Sequence, residues 1–213
     1  FEGKECITMS HFLKAAMRLT FEVPVSAFEE NAFNEISKSD LINVAYHEAG
    51  HVLVHEMLDP GSVALVSIFG SNYNAFGGRT VCNMGACINS FRKKEINIIG
   101  ALAGIAATEQ KLGVRDIGCS GDLEKAFNNV RELIVNHCTS GFHLHGDYGE
   151  YSDKLREKQE QAVASEIEKY YFKAKEIIAL NNSFLENIAN RLLEKKILCS
   201  NDIENIRRES AAK

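Results

Sequence analysis

The stretch VAYHEAGHVLVHEM, residues 44–57, places three histidines four positions apart, His47, His51 and His55, with Glu48 directly after the first. On an α-helix such positions lie one turn above each other on one face, so His47 and His51 can aim their imidazoles at one point. His55 falls about 12 Å along the axis from His47, too far to join the same ion when zinc–nitrogen bonds are about 2.0–2.1 Å. His51 and His55 could share an ion instead, but no glutamate follows the first histidine of that pair. His47-Glu48-x-x-His51 is the H-E-x-x-H pattern of zinc peptidases. There two imidazoles and one further protein ligand hold zinc with a position left open, a water on the metal falls to a pKa of about 7, and the adjacent carboxylate takes its proton and passes it to the leaving amine.

The third ligand does not follow from local spacing. The extended form H-E-x-x-H-x-x-G-x-x-H requires Gly at position 54 and His at 57, where Val54 and Met57 stand, and no glutamate occurs between Glu56 and Glu95. Glu95, Glu109, Asp116 and Asp122 remain as candidates.

The elements that must carry these groups read as mainly helical. A short amphipathic helix is expected over residues 10–19 and a connector over 20–38. The histidine helix is expected to open at a Ser39 cap and stop at Asp59, Pro60 and Gly61. SVALVSIFG and AFGGRTVCN, joined through the turn-prone SNYN, form two strands of a small sheet. INIIGALAGIAATEQKLG returns to helix with Ile96, Ile99, Ala103 and Ala106 on one face, its small residues admitting a close neighbour. SGDLEKAFNNVRELIVNHC places Leu123, Phe127, Val130 and Ile134 on another. A long charged helix runs from Ser152 to Leu180, and one more opens at Ser183 with Glu186 as its capping box. There is no internal repeat, and the only boundary expected lies near residue 40.

Composition bounds the partners. The chain has 213 residues, 45% of them hydrophobic, enough for a sizeable core, and a formal charge of -5 with both signs interspersed, which argues against a nucleic-acid partner. No apolar run approaches the roughly 20 residues of a membrane span and no signal peptide opens the chain, so this segment is expected to be soluble. Its start at Phe1 points to a piece of something longer. Cys6, Cys82, Cys87, Cys119, Cys138 and Cys199 form no C-x-x-C pair, and free thiols in a reducing compartment are expected.

VAYHEAGHVLV resembles the zinc-binding helix of the FtsH family, the membrane-tethered AAA proteases, and ALAGIAATEQKLGVRDIGCSGDLEKAF resembles that family's second block. Ile7 to Leu19 resembles the last helix of the AAA lid, and EIEKYYFKAKEIIALNNSFLENIANRLLEKKIL the C-terminal helices of the peptidase. The resemblance implies a mainly α zinc peptidase domain with a small β-sheet, residues 1–39 being the end of a lid-like helix and a connector and 40–213 the peptidase. It implies zinc on His47, His51 and Asp122, Glu48 as general base, and a hexameric ring acting on unfolded or membrane-extracted proteins. It implies also an ATPase and a membrane anchor upstream, since no G-x-x-x-x-G-K-[ST] occurs here. AFGGRTVC is similar to the family's edge strand, so Gly77, Gly78, Arg79 and Thr80 are expected to bind an extended peptide by main-chain hydrogen bonds.

Departures accompany the likeness. LAGIAATEQ stands where the family has L-G-G-R-A-A-E-E, so Ile105 replaces an arginine and Thr108 a glutamate, and the connector lacks the family's basic stretch. An aspartate at position 122 could equally be a helix N-cap. His143 and His145 form an H-x-H pair that in an extended segment could bind a second metal or polarise a carbonyl; with no third ligand evident a polar surface loop is favoured, and the pair is left unassigned. The competing readings are a catalytically silent assembly module, against which the intact Glu48 argues, and a stand-alone zinc peptidase, which the absence of an upstream P-loop would favour.

Overall fold

A computed structural model describes residues 7, 8, 11, 12, 15, 18, 19, 37–68, 77–82, 90–115, 117–145 and 152–211. Asp116 and most of residues 1–36 lie outside this set, and with them nearly all of the expected connector, residues 20–36. Of the first expected helix, residues 11, 12, 15, 18 and 19 are helical.

The histidine helix, α1 (Lys38–Leu58), begins one residue before the expected cap, because Ser37 rather than Ser39 caps it, its side chain accepting from the Ser39 amide at 3.2 Å. It ends at Asp59, and Gly61 then takes a positive φ of 80° that turns the chain into β1 (Val63–Ser67). β1 lies in the middle of a three-stranded antiparallel sheet, between β2 (Arg79–Cys82) and β3 (Ile197–Cys199). β3 adds a third strand to the expected pair. Three residues between two helices are too few to show an alternation, and the strand exists because β1 offers it a free edge.

α2 (Phe91–Leu112) starts five residues before the expected Ile96, from a Ser90 cap, and ends at Gly113 in the left-handed region. α3 (Ser120–Val135) follows, and the long α4 (Asp153–Leu180) runs over the expected span, with Ser152 as its N-cap. α5 (Asn182–Lys195) contradicts the capping box: Asn181 is its N-cap, while Glu186 pairs with Lys111 at 2.7 Å and with Asn182. An unexpected helix, α6 (Ser200–Ala211), closes the chain. Phe127 is partly exposed, and the buried face of α3 runs instead through Ala126, Val130, Leu133 and Ile134.

Two apolar clusters share α2 as their common wall. In one, Val52 and Leu53 of α1 pack with Val63 and Val66 of β1, Leu185 and Ile188 of α5, and Ile203 and Ile206 of α6. In the other, Ile98 and Leu102 of α2 meet Val130 and Ile134 of α3 and Val163 and Ile167 of α4. The fold is mainly helical with a small sheet, as expected. Its design follows from α1, which is buried along most of its length and so must be wrapped rather than merely covered.

Candidate metal centre

Small residues bring α1 and α2 close. A Cβ at Gly50 would stand 2.5 Å from the Ala103 carbonyl oxygen, and one at Gly104 would stand 2.5 Å from the His47 ring. The contact places the polar groups of α1, buried in the helix interface, against backbone that can answer them. The Nδ1–H of His51 donates to the Gly100 carbonyl at 2.7 Å, which leaves Nε2 as the lone-pair nitrogen. His47 has no such tether: its Nδ1 is buried without a hydrogen-bond partner.

His47 Nε2 and His51 Nε2 stand 3.0 Å apart with their rings near perpendicular, and Asp122 Oδ2, from the first turn of α3, lies 3.3 Å from the former and 3.2 Å from the latter. Ligands about 2.0–2.1 Å from one tetrahedral ion are separated by about 3.3 Å, so the three atoms have the spacing of a shared ion. Two imidazole nitrogens and a carboxylate oxygen converging on one buried point need a proton or a cation between them, and an N, N, O donor set suits zinc. The cluster fits zinc, and among the described residues it is the one group of this kind.

The electrostatics express the same crowding. Burial alone would lower the His51 pKa, but its hydrogen bond to Asp122 and the Glu48 charge raise it to about 9. Burial would raise Asp122, yet the hydrogen bonds from His47 and His51 hold its carboxyl well below the usual range. Its other oxygen accepts from Lys125 at 3.0 Å. Asp122 is no N-cap: Cys119 holds that position, with no side-chain cap bond.

The other candidates are engaged elsewhere. Glu109 accepts from the Tyr171 hydroxyl and pairs with Lys175 at 3.2 Å, and Glu95 accepts from Tyr170 at 3.3 Å. His55 lies one turn beyond the pair, packed against Gly100, its pKa lowered to about 4 by burial and by the neighbouring His51. His143 and His145 belong to no metal-competent group among the described residues, and the His145 Nδ1–H donates to the Val135 carbonyl at 2.9 Å.

Glu48 is buried beside the cluster, and burial pushes its carboxyl above the usual range against the pull of His51, His47 and Thr80. The Thr80 hydroxyl of β2 donates to Glu48 Oε2 at 2.7 Å. Gly78 abuts the same side chain, with which any Cβ there would collide, whereas a Cβ at Gly77 would meet nothing within 4 Å. Arg79 is exposed. Gly78 and Thr80 thus lie directly against Glu48, and β2 is an edge strand among the described residues. The Thr80 to Glu48 bond and the Gly100 carbonyl behind His51 escaped the sequence, since each joins segments far apart in the chain and neither belongs to a local pattern.

Peptidase family M41 matches residues 34–206. Among curated relatives, the ATP-dependent zinc metalloprotease FtsH of Rhodothermus marinus is 29% identical over 96% of this chain and 31% of its own length. That of Mesoplasma florum is 30% identical over 80% of this chain and 28% of its own, and that of Thermotoga maritima 26% identical over all of this chain and 37% of its own. The chain therefore spans about a third of the length of the relatives it matches. Because the family match runs unbroken from the zinc helix into the last helix, this chain belongs to peptidase family M41, and its site is that of a zinc metalloendopeptidase.

Proposed function

We propose that the chain is the proteolytic part of an FtsH-like, ATP-dependent protease that degrades unfolded or membrane-extracted proteins, with zinc on His47, His51 and Asp122 and Glu48 as its general base. The observation that carries the reading is the meeting of those three donor atoms within 3.0 to 3.3 Å beside a buried Glu48. Zinc, when bound, supplies a Lewis acid that polarises the scissile carbonyl and acidifies a water. Glu48 accepts the proton of the attacking water and returns it to the amide nitrogen as the carbon–nitrogen bond breaks, giving a carboxylic acid and an amine. Gly77 and Gly78, with Arg79 and Thr80 at the start of β2, line the path of an extended peptide, which adds through main-chain bonds to β2, an edge strand among the described residues.

The family's ring is hexameric by the resemblance given above, and the same resemblance supports an ATPase, reached through residues 1–39, and a membrane anchor in the parent protein, with this domain in a reducing compartment. The names of the relatives, each an ATP-dependent zinc metalloprotease, support coupling to ATP. No helix among the described residues is long and apolar enough to cross a membrane.

The test is zinc content together with hydrolysis of an unfolded, fluorescently labelled protein. Glu48→Gln is expected to keep its zinc and lose about 100-fold to 10,000-fold in rate. Wild-type rates in zinc-replete Glu48→Gln would rule out Glu48 as the base.

A further inference from the structure

Outside the three zinc donors, one polar contact reaches the reacting groups from the sheet. Thr80 pairs across the sheet with Val66 of β1, and its side chain faces α1, where its hydroxyl lies 2.7 Å from Glu48 Oε2. By strand alternation Arg79 and Val81 face the other way. The glutamate carboxylate turns about three side-chain bonds, and no hydrogen bond from His47 or His51 restrains it: their Nε2 atoms face each other and Asp122, and the His51 Nδ1–H is held by Gly100. Thr80 is therefore the side chain that fixes which oxygen of Glu48 is held and which is left. Gly78 completes the arrangement. A Cβ there would collide with Oε1 and Cγ, so glycine leaves room for the carboxylate to lie in the orientation that Thr80 holds.

We infer that Thr80 is a positioning residue, whose hydroxyl holds one oxygen of Glu48 so that the other faces the attacking water, and that β2 thereby joins the peptide-docking edge and the orientation of the base in a single strand. This rests on Glu48 being the base. A peptide adding to the edge of β2 engages main-chain groups and leaves the Thr80 hydroxyl with Glu48. The role thus differs from a substrate contact in what it changes. Substrate binding should be indifferent to the hydroxyl, while turnover should depend on it.

The experiment compares Thr80→Val, Thr80→Ser and Glu48→Gln in the zinc-loaded protein, with kcat and KM measured on the labelled unfolded substrate and zinc and thermal unfolding measured in parallel. Valine keeps the shape and removes the donor; serine keeps the donor. Loss of one hydrogen bond to a charged group predicts kcat about 10-fold to 100-fold lower in Thr80→Val, with KM within about 2-fold and zinc retained, and Thr80→Ser near wild type. A raised KM with unchanged kcat would make Thr80 a substrate contact, and lost zinc or folding in Thr80→Val would make it structural; either overturns the inference. So would unchanged kinetics in Thr80→Val, or a Thr80→Ser as impaired as Thr80→Val. Failure of the underlying reading looks different: there Glu48→Gln itself remains active.

Discussion

At Asp122 the charge of a single oxygen decides between a ligand and an ordinary helix residue. Its Oδ2 faces two imidazole nitrogens at 3.2 and 3.3 Å, whereas Glu109 is committed to Tyr171 and Lys175. Asp122→Asn should weaken zinc binding by more than about 100-fold, since even residues behind the ligands are worth about 10-fold to 100-fold. Glu109→Gln should leave it within about 2-fold. Competition with a metallochromic chelator measures both, and the reverse order would move the third ligand to Glu109. The same titration run against pH tests His51. With no metal bound its pKa is raised to about 9, so below that value a proton occupies the nitrogen that zinc needs. Zinc affinity should climb by about tenfold per pH unit and flatten above about 9. The sign reverses for the chelated protein. A raised pKa contributes stability in full below the unfolded value of about 6.5, and that contribution is lost as pH rises through about 9. Thermal unfolding in chelator should therefore weaken across that window. His47, Glu48 and His51 were legible because one helical turn contains them; Asp122 lies 75 positions from His47, and only its surrounding block pointed to it.

Among the elements, the approach of α1 to α2 sets the centre's geometry and depends on glycine. At Gly50 the obstacles are the Ala103 carbonyl oxygen at 2.5 Å and the Ala107 Cβ at 2.7 Å, neither of which can swing aside. Gly50→Ala gains about 1 kcal/mol of helix propensity but overpacks the contact at about 1–3 kcal/mol, so it should destabilise on balance. Gly121→Ala, in the first turn of α3 with nothing within 4 Å, should stabilise by up to about 1 kcal/mol. Urea denaturation of the pair should show opposite signs, and two equal shifts would dismiss the packing argument. Helix periodicity made the main helices readable, yet the ends were not. Ser37 and Ser39 are both capping types two residues apart, and Ser183 with Glu186 satisfies a capping pattern that Asn181 and Lys111 take over. β3 and α6 depend on docking against β1 and α1, which local sequence does not record.

Over the whole molecule, the last helix holds the C-terminal end of the zinc helix. The buried Glu56 carboxylate accepts from the Gly61 and Val63 amides at 3.0 and 2.9 Å and is paired with the guanidinium of Arg207, which also reaches the Glu56 carbonyl at 3.0 Å. Removing one partner of a buried pair strands the other charge. Arg207→Ala should cost about 3 kcal/mol, the low end for such pairs because the arginine is partly exposed, and lower Tm by about 6–12 °C. A shift under about 2 °C would show that the two amides suffice for Glu56.

The separation of the donors has a consequence in time. His47, Glu48 and His51 are brought into register by one helix, whereas Asp122 reaches them only through contacts made across α2 between distant parts of the chain. The loop closed between His47 and Asp122 is 75 residues long, so its ends meet late in folding. Thr80, which reaches Glu48 from the sheet, is equally a product of the finished fold. A nascent or partly unfolded copy therefore holds two histidines and an unguided carboxylate but no competent centre. If the proposed protease activity holds, a site completed only by the finished fold keeps immature copies from attacking one another.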